Sequence, residues 1–237
     1  MTKFFLTISF LWLLTFSVFS QKHRTRIENR PNFDKLMFHY GFYLGLNRND
    51  FKVDYRPNSI TDNPNVIVEP KTGFNVGLIA DLRLHKNINL RFEPGLVTNS
   101  KKLTFEYITG PDSEKIRDNV GSTFLHLPLI LKFSTDRLDN VRPYVLGGVS
   151  FDHNFTSNEK NPDDNFSGSF RMQTSNFMYE IGIGIDIYLY YFKFSPSIRG
   201  IFAINNEIKY DDTSPSQWTD PINYLGTRGV FIHLAFE

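Results

Sequence analysis

The chain contains 237 residues and no cysteine, and its 26 Lys and Arg residues almost balance its 25 Asp and Glu residues. The lack of cysteine excludes disulfides and thiolate chemistry, and the balanced charge gives no indication of a nucleic-acid partner. Hydrophobic residues make up 41% of the chain, yet beyond the N-terminal segment no apolar run approaches the roughly 20 residues of a membrane-spanning helix.

Residues 1–20 are typical of a secretory signal peptide. A short basic start is followed by an apolar run interrupted only by Thr and Ser, and Val18 and Ser20 lie three and one residues before Gln21, an acceptable cleavage pattern. The alternative is an uncleaved anchor helix, but the run is shorter than a span usually needs. We therefore predict a signal peptide over residues 1–20. Residues 21–35 are predicted to be a flexible, polar periplasmic leader, since this segment contains Lys22, Arg24, Arg26 and Arg30; the alternative for the leader is a dedicated binding segment.

Eight later segments share an alternating pattern. Apolar residues occupy alternate positions, and Gly, polar or charged residues fill most of the positions between them. Successive side chains on a strand point to opposite faces, so each segment predicts a two-sided strand. The segments suit the roughly nine to eleven residues of a membrane-spanning strand better than the usual strand of about five or six. They comprise residues 37–48, 73–84, 88–98, 122–133, 141–152, 177–189, 191–202 and 229–237.

The sixth segment, residues 177–189, shows the pattern most clearly. Ile181, Ile183 and the other odd positions are apolar or aromatic, whereas the even positions include two glycines, Glu180 and Asp186. An apolar face opposite a face of glycine and carboxylates is typical of an outer-membrane barrel strand, whose outer face contacts lipid.

The connections alternate in length. Short ones lie at residues 85–87, 134–140 and 189–190, and long polar ones at residues 49–72, 99–121, 153–173 and 203–228. Long unstructured loops are uncommon in compact soluble domains, whereas outer-membrane barrels combine short periplasmic turns with long outer loops. We therefore predict an all-β fold over residues 36–237: an eight-stranded, antiparallel, up-and-down transmembrane β-barrel, integral to the outer membrane, with both termini in the periplasm.

Two features modify the predicted strands. Proline cannot donate to the strand ladder, so we expect bulges or strand ends at the prolines within them. These are Pro94, Pro128, Pro143 and Pro196. Alternating triplets in the long loops are expected to extend two strands beyond the bilayer. These are Phe51, Val53 and Tyr55, and Leu103, Phe105 and Tyr107.

The inward face of the predicted barrel carries charges of both signs. An eight-stranded barrel has an interior just wide enough for side chains to fill it, and buried charges must pair. We predict a packed structural network with no open pore; the alternative is a path for protons or ions. The predicted network consists of Asp81, Arg83, Arg91, Glu93, Lys132, Arg142, Glu180, Asp186, Lys193 and Arg199.

No motif in the chain indicates catalysis, a cofactor or a metal. The six histidines are scattered without metal-ligand spacing. No G-x-S-x-G motif is present, although a barrel lipid enzyme with a Ser–His pair is an alternative. We expect a protein that is not an enzyme and has no catalytic residues, cofactor or metal site.

Seven segments resemble the PorT family, also called SprT, and stand in the family's order. They are FHYGFYLGLNRNDF (38–51), GFNVGLIADLRL (73–84), NLRFEPGL (89–96), LPLILKF (127–133), RPYVLGGV (142–149), YEIGIGIDIYL (179–189) and FKFSPSIR (192–199). Where the family's pattern often has acidic residues, this chain has His126 and Ser197.

The resemblance implies an integral outer-membrane barrel of the Bacteroidota that is required for type IX secretion. That system exports proteins with C-terminal sorting domains and supports gliding motility in some species. The implied role is that of an assembly or scaffold subunit, whose partners are outer-membrane lipid and other secretion components. The alternative is a generic small surface barrel with an adhesive or envelope-stabilising role.

Overall fold

The computed structural model describes residues 28–56, 65–106, 116–120, 123–157, 159, 171–210 and 219–237. The predicted signal peptide and residues 21–27 of the predicted leader lie outside the described residues. No helix within these ranges is long and apolar enough to cross a membrane. The described strands are β1 (Phe38–Tyr55), β2 (Val66–Pro70), β3 (Thr72–His85), β4 (Ile88–Phe92), β5 (Gly95–Thr98), β6 (Lys101–Phe105), β7 (Ile116–Val120), β8 (Thr123–Ser134), β9 (Val141–Asn154), β10 (Ser175–Tyr188), β11 (Lys193–Ala203) and β12 (Ile222–Phe236).

The strands form a closed antiparallel ring of eight ribbons. Three ribbons are interrupted, so that β2 and β3 form one ribbon, β4, β5 and β6 the next, and β7 and β8 the third. Each ribbon pairs with its neighbours in the chain, and β1 pairs with both β3 and β12, which closes the ring. The predicted all-β fold of eight antiparallel strands is confirmed. We call the end where β1 begins and β12 ends the short-turn end, and the opposite end the long-loop end.

The alternating pattern determines which side chains face outward. On β10, Ile181 and Ile183 are 62% and 65% exposed, whereas Glu180 and Asp186 are 3% and 2% exposed. Large apolar side chains are exposed in the same way on all eight ribbons and form an apolar belt. It includes Leu44, Leu78, Leu96, Leu129, Val145, Ile183, Ile198 and Ile232. A continuous exposed apolar surface of this extent suits lipid rather than water.

The four prolines affect the strands differently. Pro94 separates β4 from β5, and the pairing of β10 with β11 is interrupted between Gly184 and Ile187, opposite Pro196. Both interruptions agree with the expectation for a residue that lacks an amide donor. Pro128 and Pro143 lie inside β8 and β9 without a shift in register, so the expectation of a bulge was wrong there. The ladders are nevertheless interrupted beside them: β8 pairs with neither β4 nor β5 at Pro128, and the pairing of β9 with β8 ends at Tyr144.

The strands continue beyond the apolar belt at the long-loop end. β1 reaches Tyr55, as its triplet predicted, and pairs there with β12, which begins at Ile222 rather than at the predicted residue 229. β2, β6 and β7 form a separate three-stranded sheet. Both parts contribute to one apolar cluster, which we call the loop-end core. It contains Phe51, Val66, Leu103, Phe105, Val120, Met172, Ile208, Ile222 and Leu225. Tyr107 of the second triplet lies outside the described residues.

Candidate functional site

The structure places the predicted inner-face residues in the lumen or at its short-turn mouth. Nine of the ten are buried, and Arg83, near the short-turn end, is partly exposed. Asp81, Arg91 and Glu93 have no solvent-accessible surface at all. Side chains therefore fill the lumen at this level.

Arg91 is the centre of the network. Its Nε lies 3.4 Å from an Asp81 carboxylate oxygen and 3.1 Å from a Glu93 oxygen, and its NH2 donates to Glu237 at 3.0 Å. The other oxygen of Glu93 accepts from Arg199 NH1 at 2.6 Å. A guanidinium can serve several carboxylates because it presents five donors in a fixed plane. Arg91 thereby connects β3, β4 and the end of β12 across the lumen.

Two lysines pair with carboxylates nearer the short-turn end. Lys132 Nζ lies 2.7 Å from both oxygens of Asp186, and Lys193 Nζ lies 2.8 Å from Glu237. Ser195 donates a further hydrogen bond to Asp186 at 2.7 Å. These contacts distribute the charge of the two carboxylates over several strands, and pairing of this kind offsets the cost of burying the ions.

His126 belongs to the network, although no role was predicted for it. Its Nδ1 lies 2.6 Å from Asp152 and its Nε2 lies 3.0 Å from Glu180. The place where the resembled family often has an acid thus holds an imidazole between two carboxylates. His233, 2.8 Å from the Asn75 amide, was missed in the same way. Both histidines lie at inward positions of their strands, so the alternation alone could have identified them.

Apolar and aromatic side chains fill the lumen between and above the ions. The Tyr43 ring packs against Gly77 and Gly95, where an added Cβ would come within 2.6 Å and 2.1 Å of its atoms. A buried apolar cluster lies in the barrel as well; it consists of Val97, Phe124, Met178, Ile201 and Phe231. The lumen thus combines ionic and apolar packing.

A buried polar group lies beyond the belt, at the long-loop end. The Glu207 carboxylate accepts hydrogen bonds from the Thr227 amide and hydroxyl, both at 2.8 Å, and Lys101 Nζ lies 3.4 Å from the same hydroxyl and 3.6 Å from the centre of the Phe51 ring. Burial lowers the pKa of Lys101 to about 8, against the attraction of Glu207, and burial raises the pKa of Glu207. The group ties β1, β6 and β12 to the segment after β11.

The short-turn end is covered by part of the predicted leader. Residues 33–35 form a 3₁₀ turn in which Phe33 is buried and Asp34 points toward the barrel. Asp34 accepts a 2.6 Å hydrogen bond from the Tyr188 hydroxyl, and the Phe33 carbonyl lies 2.8 Å from His39 Nε2. The segment that the sequence predicted as a flexible leader is therefore packed at its end, because one aromatic residue finds an apolar contact there.

The described part of the chain contains no candidate metal site. No group of three His, Asp or Glu side chains within it is arranged to hold a metal ion. The buried carboxylates of the lumen are instead paired with arginine, lysine and histidine.

The chain is distantly similar to several solved outer-membrane protein structures. The OprG structure from Pseudomonas aeruginosa is 15% identical, with 84% of this chain and 92% of that chain covered and a TM-score of 0.44. Neisserial surface protein A is 9% identical, with 84% and 97% covered and a TM-score of 0.44. Ail of Yersinia pestis, solved with the heparin analogue sucrose octasulfate, is 12% identical, with 85% and 98% covered and a TM-score of 0.39.

These likenesses are too distant to carry an argument about function. No curated protein matches the chain. The family model of the outer membrane protein beta-barrel domain, however, matches residues 19–209, which is well over half of the chain. The chain therefore belongs to the outer-membrane β-barrel domain family, and it is an integral outer-membrane protein.

Proposed function

We propose that this barrel is a non-enzymatic component of the type IX secretion system of the Bacteroidota, and that it acts as an assembly or scaffold subunit. The observation that carries the proposal is the ordered set of seven PorT-like segments from residue 38 to residue 199. The filled lumen supports a scaffold rather than a conduit, since Arg91 and Glu93 leave no accessible space around them. Contacts with other secretion components would then be made at the two ends of the barrel, and with lipid at its belt.

Deleting the gene is expected to abolish secretion of proteins that carry C-terminal sorting domains. The measurement is the distribution of one such protein between the culture medium and the cell, in the deletion strain and in the same strain complemented with the intact gene. In a gliding species, spreading on agar should be lost together with secretion. Unchanged secretion in a clean deletion would rule the proposal out.

The orientation belongs to the same proposal: the short-turn end, with both termini, faces the periplasm. Outer-membrane barrels place their short turns there. Because the chain has no cysteine, a single introduced cysteine is the one thiol that a maleimide can label in this protein, once the protein is isolated from the labelled cells. Asp136 in a short turn and Glu69 on β2 are a matched pair, since each carboxylate is largely exposed (64% and 57%) and lies near one lysine.

On intact cells a membrane-impermeant maleimide is expected to label Glu69→Cys and to leave Asp136→Cys unlabelled. Asp136→Cys should react once the outer membrane is permeabilised, which shows that its thiol is free. Labelling of Asp136→Cys alone on intact cells would mean that the barrel has the opposite orientation.

A second candidate function is that of a surface barrel with an adhesive or envelope-stabilising role. The observation that favours it is the loop-end core, which gives the long-loop end ordered β-structure beyond the belt. Residues of this core are buried, so the surface around them is held in place by packing. Reduced surface attachment after deletion, with secretion unchanged, would favour this role over secretion.

A further inference from the structure

The short-turn mouth of the barrel is lined by cationic and aromatic side chains. We call this group the mouth socket. It consists of His39, Arg83, Arg137, Arg142, Tyr188 and Lys193. These side chains come from five different ribbons or their turns. They are therefore assembled by the fold and do not form a short sequence motif.

Phe33 is the apolar anchor in the mouth socket. It is 7% exposed, and its ring centre lies 4.3 Å from that of His39 and 6.2 Å, edge to face, from that of Tyr188. Lys193 Nζ lies 4.9 Å from the same ring centre. Aromatic contacts combined with a nearby ammonium favour an aromatic occupant over an aliphatic one.

Asp34 supplies the acidic contact. One of its carboxylate oxygens accepts from the Tyr188 hydroxyl at 2.6 Å and lies 3.4 Å from Arg142 NH1, and the other lies 3.7 Å from Arg137 NH1. Its main-chain carbonyl accepts from Arg83. Among the described residues, Asp34 is the carboxylate within 4.0 Å of Arg137 and Arg142. The barrel thus supplies the cations of this site, and the segment before β1 supplies the anion.

The occupying segment is attached weakly compared with the strands. It joins no strand ladder, and its cross-contacts are made largely through side chains, such as Asn140 Oδ1, which accepts from the Asn29 amide at 2.9 Å. Pro31, Asn32 and Lys35 within it are exposed. Segments with few buried apolar contacts and few backbone hydrogen bonds open at a lower free energy than core strands. The socket can therefore be vacated while the barrel stays folded.

We propose that the mouth socket is a docking site for a peptide segment in which an aromatic residue is followed directly by an acidic one. In the structure, Phe33 and Asp34 of the chain itself occupy the socket. A protein partner at this end of the barrel displaces them with its own segment, which carries the same pair of an aromatic and an acidic residue. The inference depends on the fold and on the contacts of residues 29–35, and it stands whether or not the secretion role holds.

The test uses the full-length protein, folded in detergent or in lipid nanodiscs. The variant Phe33→Ala/Asp34→Ala vacates the socket, and the probe is a fluorescent synthetic peptide with the chain's own sequence NRPNFDKL. The control peptide, NRPNDFKL, has the same composition with the two residues exchanged. We expect the probe to bind the double variant at least about tenfold more tightly than the wild type, because the cis segment no longer competes. Adding Arg142→Gln to the double variant should weaken binding again.

Equal binding of the two peptides, or no binding of the probe to a folded double variant, would overturn the proposal. A heat-modifiable band on a gel establishes that each variant is folded. If the double variant fails to fold, the proposal is tested instead by amide hydrogen exchange of the wild-type protein in the presence of each peptide. An excess of NRPNFDKL should speed exchange at residues 29–36 and NRPNDFKL should not, whereas unchanged exchange with both peptides counts against an exchangeable site.

Discussion

Replacing Glu93 with glutamine is expected to lower the free energy of unfolding by about 3–5 kcal/mol, because it removes one partner of a buried ion network. Glu93 has no accessible surface, and its two oxygens lie 2.6 Å from Arg199 and 3.1 Å from Arg91. Glutamine keeps the shape of the side chain but removes the charge. The glutamine amide also places its NH₂ group against one of the two guanidinium groups. A guanidinium has no hydrogen-bond acceptor, so this NH₂ group would have no partner there. The measurement is urea-dependent unfolding of the barrel from lipid vesicles.

The matched control is Glu69→Gln, the same substitution at an exposed ion pair. Glu69 is 57% exposed and lies 3.5 Å from Lys102, so its loss should change stability by about 0–1 kcal/mol. The double variant Glu93→Gln/Arg199→Gln should cost less than the sum of the two single variants, since residues in one network are coupled. Equal effects at Glu93 and Glu69 would contradict a lumenal network that stabilises the barrel.

Most of the fold could be predicted from the alternation of apolar and polar residues in the sequence. A residue pattern of period two determines which face of each strand is apolar. In a membrane barrel the apolar face points outward, toward lipid. The alternating pattern could not predict which charged side chains pair with one another inside the lumen. Glu93 and Arg199 are 106 residues apart in the chain and meet because of the relative register of strands on opposite sides of the ring. The period of the alternation does not specify that register. The sequence therefore predicted that Arg91 lies in the lumen, but not which side chains it contacts there.

The two ends of the barrel were harder to predict for a different reason. At the short-turn end, the many basic residues of the segment before β1 favoured a solvated leader, and they outweighed the single aromatic residue Phe33, which the structure buries. At the long-loop end, Met172 and Ile208 lie in segments without alternation, yet they form a bridge and join the loop-end core. Isolated apolar residues in polar loops reveal their contacts only when the neighbouring strands are in place.

This division bears on function. The wall and the lumen explain how the protein sits in a membrane, and a lumen filled by residues such as Arg91 and Tyr43 leaves transport through it without support. The ends carry the features that differ from a plain barrel, namely the loop-end core and the mouth socket. Under the proposed scaffold role, contacts with other proteins are expected at these ends, and variants at the ends should separate function from folding better than variants in the lumen.

Gly95→Ala is expected to destabilise the barrel by about 3 kcal/mol, the upper part of the range for overpacking a filled interior. A Cβ at this position would lie 2.1 Å from the Tyr43 hydroxyl oxygen and 2.7 Å from the Val76 carbonyl oxygen. Tyr43 cannot easily move away, since it has no accessible surface and its ring stacks on His233 with centres 4.5 Å apart. The same unfolding measurement from vesicles reports the loss.

Two further variants show whether the contact with Tyr43 is the cause. Gly147→Ala on β9 is the matched control, because the nearest atom to its added Cβ is 3.7 Å away, and it should change stability by no more than about 0.5 kcal/mol. In a Tyr43→Phe background the cost of Gly95→Ala should fall, because the shortest contact, at 2.1 Å, is with the hydroxyl oxygen. It should not vanish, since the ring carbon that bears this oxygen would still lie 2.9 Å from the new methyl group. A cost that is the same in both backgrounds would place the strain in the strand ladder beside Val76 and not in the packing of Tyr43.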